Sequence, residues 1–237
     1  MVNREVLINF INKYNLDSGS SKGETAVILK VENEMLATMV KTEDKSLMAQ
    51  VVASKTGIPD GKYAVYNTST LLSLIKLMQT EFELTPIGTA EKPMSWRLKD
   101  DNYDAEFRLA SPDIISSASV NLKLPEMQLN LEINSVFIDK YIKSLAALPS
   151  TLISFINKKG MVFLTVNHSD SNSHKIQIPL NVEAPEELIT PIVFDANKFK
   201  DVLTVNKDAS SGKLALSTSG LMSLEFKTES IVSKYYL

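Results

Sequence analysis

Four times in 237 residues an apolar residue is followed by Asn or Asp and then by a short amphipathic run. Val2-Asn3 precedes "REVLINFINKY", Tyr66-Asn67 precedes "TSTLLSLIKLM", Ile133-Asn134 precedes "SVFIDKYIKSL" and Phe194-Asp195 precedes "ANKFKDVL". Asn and Asp cap helices because a side-chain oxygen accepts the backbone N–H groups that the first turn leaves without partners. The caps recur at intervals of roughly sixty to seventy residues, so the chain reads as one unit repeated four times.

The segments between the caps repeat as well. Behind the first helix come "ETAVILKVE", "EMLATMVK" and "LMAQVVA", with "KYAVY" leading into the second. "EFELTPIG", "MSWRLK" and "YDAEFRLA" follow, and "QLNLEI" leads into the third. The pattern continues with "TLISFIN", "MVFLTVN", "HKIQIPLN" and "TPIVF", and ends with "GKLALST", "LMSLEFK" and "IVSKYYL". These runs alternate apolar and polar residues, as half-buried antiparallel strands do. Tight turns at "VENEM", "KDDNY", "NKKGM" and "STSGL" join them. The expected fold class is α+β, with each quarter one helix on an antiparallel sheet and two quarters to a domain. The Ser-rich stretch "SPDIISSASVNLKLPE" carries Pro112 and Pro125 and falls near the midpoint. It is expected to be a connector over 113–126, between a first domain over 1–112 and a second over 127–237. "DSGSSKGE" at 17–24 is expected to be a helix-to-strand loop.

Composition narrows the chemistry. With 25 basic and 28 acidic residues the net charge is −3, so any basic surface is local. The absence of cysteine excludes disulfides, thiol nucleophiles and thiolate metal sites. The first residues lack the apolar core of a signal peptide, and no apolar run reaches the length of a membrane span. The expectation is a soluble intracellular protein, cytoplasmic, or in the host-cell cytoplasm if viral.

Individual motifs favour scaffold over active site. "GSSKGET" at 19–25 has Lys22 before Gly23 and leads into a strand, the reverse of a phosphate-binding loop. His168 and His174 flank a polar turn in which Asp170 is the one candidate third ligand, and exposed loop histidines are the commoner case. Asp100, Asp101 and Asp104 sit in a hairpin turn without the spacing or closing Glu of a calcium loop. No catalytic residue, metal or cofactor is expected. An enzyme whose carboxylates converge only in space remains an alternative.

The helices carry cations beside their apolar stripes. Arg4 and Lys13 accompany Val6, Leu7, Phe10 and Ile11; Lys76 accompanies Leu71, Leu74, Ile75 and Met78. Lys140 and Lys143 share one side of a helix whose Val136, Phe137, Tyr141 and Leu145 are expected to face the sheet, and Lys198 and Lys200 flank Phe199, Val202 and Leu203. Read alone, these are solvated faces.

The four-quarter pattern resembles the sliding clamps, the ring-shaped processivity factors of DNA polymerases. The closing segment "LMSLEFKTESIVSKYYL", with its final Tyr-Tyr-Leu, is similar to the C-terminal strands of that family. Four helices per chain match the two-domain subunit of phage, archaeal and eukaryotic clamps, the compact phage type most nearly. The resemblance implies two similar clamp domains with helices lining the inside of a ring. Arg4, Lys13, Lys76, Lys140, Lys143, Lys198 and Lys200 would then face duplex DNA without reading its sequence. It also implies a subunit interface in which the strand with Lys175, Ile176 and Ile178 pairs with the strand holding Phe107 and Arg108 of a neighbour. Pro179 supports the edge position, since it has no N–H for a ladder. A partner-peptide pocket would involve Leu122, Leu124, Pro125, Tyr235, Tyr236 and Leu237. The implied partners are DNA, a DNA polymerase, an ATP-driven clamp loader and two further copies of the chain. Helices packed ~9 Å apart and ~10 Å thick leave an opening of about 24 Å when twelve line a ring and about 13 Å when eight do, so duplex DNA needs three chains. The alternative is a structural viral protein of duplicated α+β domains without DNA dependence.

Overall fold

The computed structural model describes residues 1–16, 26–89, 92–115, 123–167 and 173–237. The 17–24 loop and "GSSKGET" fall wholly outside these residues. So do His168, Asp170, Leu122 and the middle of the 113–126 connector. The order is β1 (Val2–Asn3), α1 (Arg4–Tyr14), β2 (Val27–Glu32), β3 (Met35–Lys41), β4 (Met48–Ser54), β5 (Gly61–Val65), α2 (Thr68–Leu77), β6 (Glu81–Gly88), β7 (Pro93–Lys99) and β8 (Asp104–Arg108). After a short 3-10 turn at Pro112–Ile114 come β9 (Leu129–Ile133), α3 (Ser135–Ala147), β10 (Leu152–Lys158), β11 (Met161–Val166), β12 (Ile176–Glu183), β13 (Ile192–Asp195), α4 (Ala196–Val205), β14 (Ser211–Ser217), β15 (Leu221–Lys227) and β16 (Ile231–Tyr236).

Every expected cap is made. Asn3 Oδ1 accepts Val6 N–H at 3.1 Å, Asn67 Oδ1 accepts Thr70 N–H at 2.8 Å, and Asn134 Oδ1 accepts Phe137 N–H at 2.9 Å. Asp195 Oδ1 accepts both Asn197 N–H at 2.8 Å and Lys198 N–H at 2.9 Å. The hairpins follow their turn residues: Asn33 and Glu34 take positive φ between β2 and β3, as Lys159 and Gly160 do between β10 and β11.

The chain divides into two compact units, Met1–Val120 with Thr228–Ser233, and Asn121–Lys227 with Lys234–Leu237. In the first, one sheet runs β1-β6-β7-β8 and four strands run β5-β2-β3-β4. The strand entering each helix pairs across to the other quarter: β1 lies antiparallel to β6, the first strand after α2, and β5 lies antiparallel to β2, the first strand after α1. The second unit repeats this, with β9 on β14 and β13 on β10 in the orders β9-β14-β15-β16 and β13-β10-β11-β12. Each unit is therefore two interlocked quarters. In the first, α1 packs on α2 above a core of Leu7, Phe10, Ile11, Leu71, Ile75, Trp96 and their neighbours. In the second, α3 packs on α4, Tyr141 donates its hydroxyl to Ala196 O at 2.8 Å, and its ring meets Phe199 edge-on at 4.9 Å. Burial and the nearby carboxylates of Asp195 and Asp201 push the Tyr141 hydroxyl pKa well above that of a free tyrosine.

The last strand begins with the first unit. Ser54 N–H, at the end of β4, donates to Ser230 O at 2.9 Å, and Ile231 is 3% exposed in the first unit's core. A division of the sequence into 1–112, a connector over 113–126 and 127–237 does not include this return of Thr228–Ser233 to the first unit.

Candidate functional site

Two kinds of surface bear on function: the cationic faces of the helices and the unpaired edges of the sheets. On α3 the buried residues are Ile138, Tyr141 and Leu145, and Lys140 and Lys143 project from the opposite side, both exposed. Val136, expected to face the sheet, is 72% exposed, and Ile138 takes its place. The reason is geometric: Ile138, Tyr141 and Leu145 form an i, i+3, i+7 stripe, and Val136 lies on the far side of it. Lys76 on α2 and Lys200 on α4 are exposed too, while Lys198 is half-buried. Lys200 stands at the rim of an open cavity of about 650 Å³, lined also by Asn197, Asn167, Ser150 and Ile142.

The first helix departs from expectation. Lys13 is only 1% exposed and belongs to the interior rather than to a cationic face. It follows Phe10 by one turn and sits between Ile11 and Tyr14, all buried, so packing covers its stem. Arg4 is spent locally: Nη1 donates to Met78 O at 2.7 Å and Nη2 to Glu5 Oε1 at 2.9 Å. The guanidinium thus caps the carbonyl end of α2. Four exposed lysines, Lys76, Lys140, Lys143 and Lys200, remain as the cationic set.

The sheet edges stand where Pro179 indicates. β12 is the terminal strand of its sheet, and β8 is the terminal strand of the sheet in the first unit. Pro179 pairs with Phe163 beside a register shift, and Asn181 just beyond takes a φ of 56°. A bulge and a proline together blunt an edge against promiscuous pairing. Arg108 at the end of β8 and Lys175, one residue before β12, are exposed, and Ile176 is half-buried. Phe107 and Ile178 are not surface side chains: they are 6% and 2% exposed, and only their backbone belongs to the edge. Inward and outward residues alternate along a strand, so edge position and side-chain exposure are separate properties.

The residues assigned to a peptide pocket also divide. Leu124 is 47% exposed, and Pro125, Tyr236 and Leu237 are half-buried. Tyr235 is core: it is fully buried, its ring packs on Phe226, and Asn206 Nδ2 donates to its hydroxyl at 3.0 Å. Alternation along β16 turns Ile231, Ser233 and Tyr235 inward together.

The hairpin carboxylates serve structure. Asp100 accepts N–H groups of Gln79, Asn102 and Tyr103, each at 2.7 Å, and these bonds hold its pKa below the usual carboxylate range. Asp104 is paired with Arg97, whose hydrogen bonds lower it likewise. Among the described residues no group of three His, Cys, Asp or Glu could hold a metal ion, and no helix is long and apolar enough to cross a membrane.

No known family model matches the sequence, and no curated protein matches it either. Solved structures do match over nearly the whole length of both chains. Proliferating cellular nuclear antigen (PCNA) from Entamoeba histolytica superposes with a TM-score of 0.71 at 15% identity, over 99% of this chain and 95% of that one. A chain of the PCNA2–PCNA3 complex from Sulfolobus tokodaii gives 0.74 at 12% identity, over 100% and 96%. A. fulgidus PCNA, solved with the C-terminal region of FEN-1 bound, gives 0.73 at 14% identity, over 100% and 95%. Identities this low speak to the fold: two similar α+β units built as in PCNA, the fold of the DNA sliding clamps.

Proposed function

We propose that this protein is the subunit of a DNA sliding clamp, a closed ring of three copies that encircles duplex DNA and tethers the replicative polymerase. The observation that carries the reading is the end-to-end likeness to PCNA, which leaves almost no part of either chain unmatched. The exposed lysines on three helices supply weak contacts to phosphates, which hold DNA without fixing its register. Loading falls to a separate ATP-driven machine. The chain itself acts as a scaffold, not a catalyst.

Assembly follows from the internal repeat. In the duplication β4 corresponds to β12, each the third strand after the first helix of its unit. β16 corresponds to β8 in the same way, as the third strand after the second helix. Within the chain β4 is already met by the segment carrying Ser230, whereas β12 and β8 are both edges. Repeating the same junction between β12 of one copy and β8 of the next satisfies both edges and gives a head-to-tail contact, which closes into a ring. The S. tokodaii structure, a complex of two PCNA subunits, supports contact between clamp chains. The FEN-1 segment on A. fulgidus PCNA supports capture of partner peptides. In this chain Leu124, Pro125, Tyr236 and Leu237, together with Leu122, are the residues assigned to that task.

Light scattering on the purified chain gives the first test, and a mass three times the 26.3 kDa subunit is expected. The second is retention on DNA after loading: the ring stays on a closed circle and leaves when the circle is cut. Equal loss from circular and linear DNA refutes encirclement.

A further inference from the structure

The connector enters the second unit with little to hold it. Residues 123–128 form neither helix nor strand, and among the described residues no hydrogen bond reaches 123–127. Gln128 is the exception. Its Oε1 accepts the Thr218 N–H at 2.9 Å and the Thr218 hydroxyl at 3.3 Å, from a residue 90 positions away. Thr218 opens the turn between β14 and β15, just past the last ladder pair, Ser217 with Leu221, so its N–H has no strand to meet. The side chain of Gln128 supplies the acceptor that the hairpin lacks.

The register places this clasp at the same end of the sheet as the tail. Leu129, Leu216 and Met222 pair in turn across β9, β14 and β15, and Met222 exchanges both backbone hydrogen bonds with Leu237, each 2.9 Å. Three strand spacings of ~4.8 Å put Leu129 and Leu237 about 14 Å apart. Leu129, Leu216, Met222 and Tyr235 are buried in the core. By alternation Gln128, Leu221 and Tyr236, all half-buried, lie on the opposite face of that sheet. From Gln128 back to Leu124 is four residues, which fully extended cover at most about 14 Å. The connector is therefore only just long enough to bring Leu124 and Pro125 to the tail, and its starting point decides whether it does.

We infer that Gln128 is the positioning residue of the partner-peptide site: its two bonds to Thr218 fix where the connector leaves the sheet, and so set in advance the gap between Leu124–Pro125 and Tyr236–Leu237 that an apolar peptide fills. This rests on the peptide site proposed above and adds the element that orders it. The tail needs no such device, because Leu237 is held by Met222 through both backbone groups. One wall of the site is thus part of the sheet, and the other hangs from a single side chain. An ordered connector spares the partner the entropy of ordering it, so losing the clasp weakens binding without removing any contact to the peptide.

Two substitutions separate the acceptor from the rest of the side chain. Gln128→Met keeps the length and removes the acceptor, whereas Gln128→Glu keeps an acceptor oxygen in the same place. Peptides are selected on the wild-type chain from a displayed library of random dodecapeptides, keeping those that Tyr236→Ala no longer binds. Gln128→Met is expected to weaken them about three- to tenfold, the range of one net hydrogen bond, and Gln128→Glu to bind them as the wild type does. A nitroxide at the exposed position Glu126→Cys reports the connector without any peptide, and the chain has no other cysteine to label. Its spectrum is expected to sharpen towards free motion in Gln128→Met and to keep the wild-type shape in Gln128→Glu. Unchanged peptide affinity in Gln128→Met overturns the inference, whether or not the melting temperature falls, because a merely structural bond would move only the latter. Equal weakening by Gln128→Glu and Gln128→Met overturns it as well, and so does an unchanged spectrum in Gln128→Met. If the library yields no peptide sensitive to Tyr236→Ala, the peptide site itself is overturned, while the spectra still decide whether Gln128 holds the connector.

Discussion

Gly57 precedes β5 with a φ of 71°, and a Cβ built there falls 2.0 Å from Met1 O and 2.9 Å from Met1 C. Gly160 has a similar φ of 80° with no atom within 4 Å of the same position. The two glycines separate backbone strain from collision. Gly160→Ala is expected to cost about 1 kcal/mol, the penalty for placing an L residue in the left-handed region. Gly57→Ala carries that cost and must also push Met1 and Val2 aside. Val2 is 1% exposed and opposes Phe82 in β1–β6, and loss of a buried valine contributes about 1.5–3 kcal/mol more. The expected total is therefore about 2.5–4 kcal/mol. Urea unfolding followed by circular dichroism measures both variants. Fluorescence of Trp96, the one tryptophan in the chain and a core residue of the first unit, reports the Gly57 change locally. If the two variants shift stability by the same amount, the first residues do not lie against Gly57 in solution and the reasoning fails.

Three further outcomes are expected. Replacing Asn3, Asn67 or Asn134 by Ala should cost about 1 kcal/mol each, and Asp195→Ala about 2 kcal/mol, because Asp195 alone accepts two N–H groups; chemical denaturation ranks them. Asp100 is bound more tightly as a carboxylate in the folded chain than in the unfolded one, so its contribution is full above the ordinary aspartate pKa of about 3.9 and disappears as pH falls through its lower folded value. Asp100→Asn should flatten that part of the melting-temperature profile between about pH 5 and about pH 2, and an unchanged profile excludes it as a source of acid sensitivity. Reversing Lys76, Lys140, Lys143 and Lys200 together should weaken DNA retention and reduce its salt dependence by roughly one unit of slope for each phosphate no longer neutralised. Lys13→Gln, a buried change, should lower stability and leave that slope alone.

The repeat could be read from sequence because its signals are local. A cap needs one side chain and the first turn beside it, and alternation along a strand needs only its own residues. All four caps and the fifteen strand segments between and after them are therefore present in the fold. What could not be read depends on partners distant in sequence. The burial of Lys13 and the engagement of Arg4 by Met78 O arise from the packing of α1 against α2 and the strands around it. Tyr235 lies in a terminal motif that carries the family resemblance, yet its hydroxyl is held by Asn206, and that bond has no signature along the chain. Val136 shows the limit of periodicity itself: α3 is apolar at 136, 137, 138, 141, 142 and 145, and the residues alone do not say which stripe the sheet selects.

The return of Thr228–Ser233 to the first unit has a consequence for biosynthesis. A ribosome releases residues 1–115 long before Ile231 is made, so β4 must wait, its outer N–H and C=O groups unmatched, until translation is almost finished. During that interval the nascent chain presents an adhesive margin that any extended peptide could occupy. Completion of the N-terminal half is thereby timed by the arrival of the C-terminal strand. A chain interrupted shortly before residue 228 would be defective at both ends of its sequence at once.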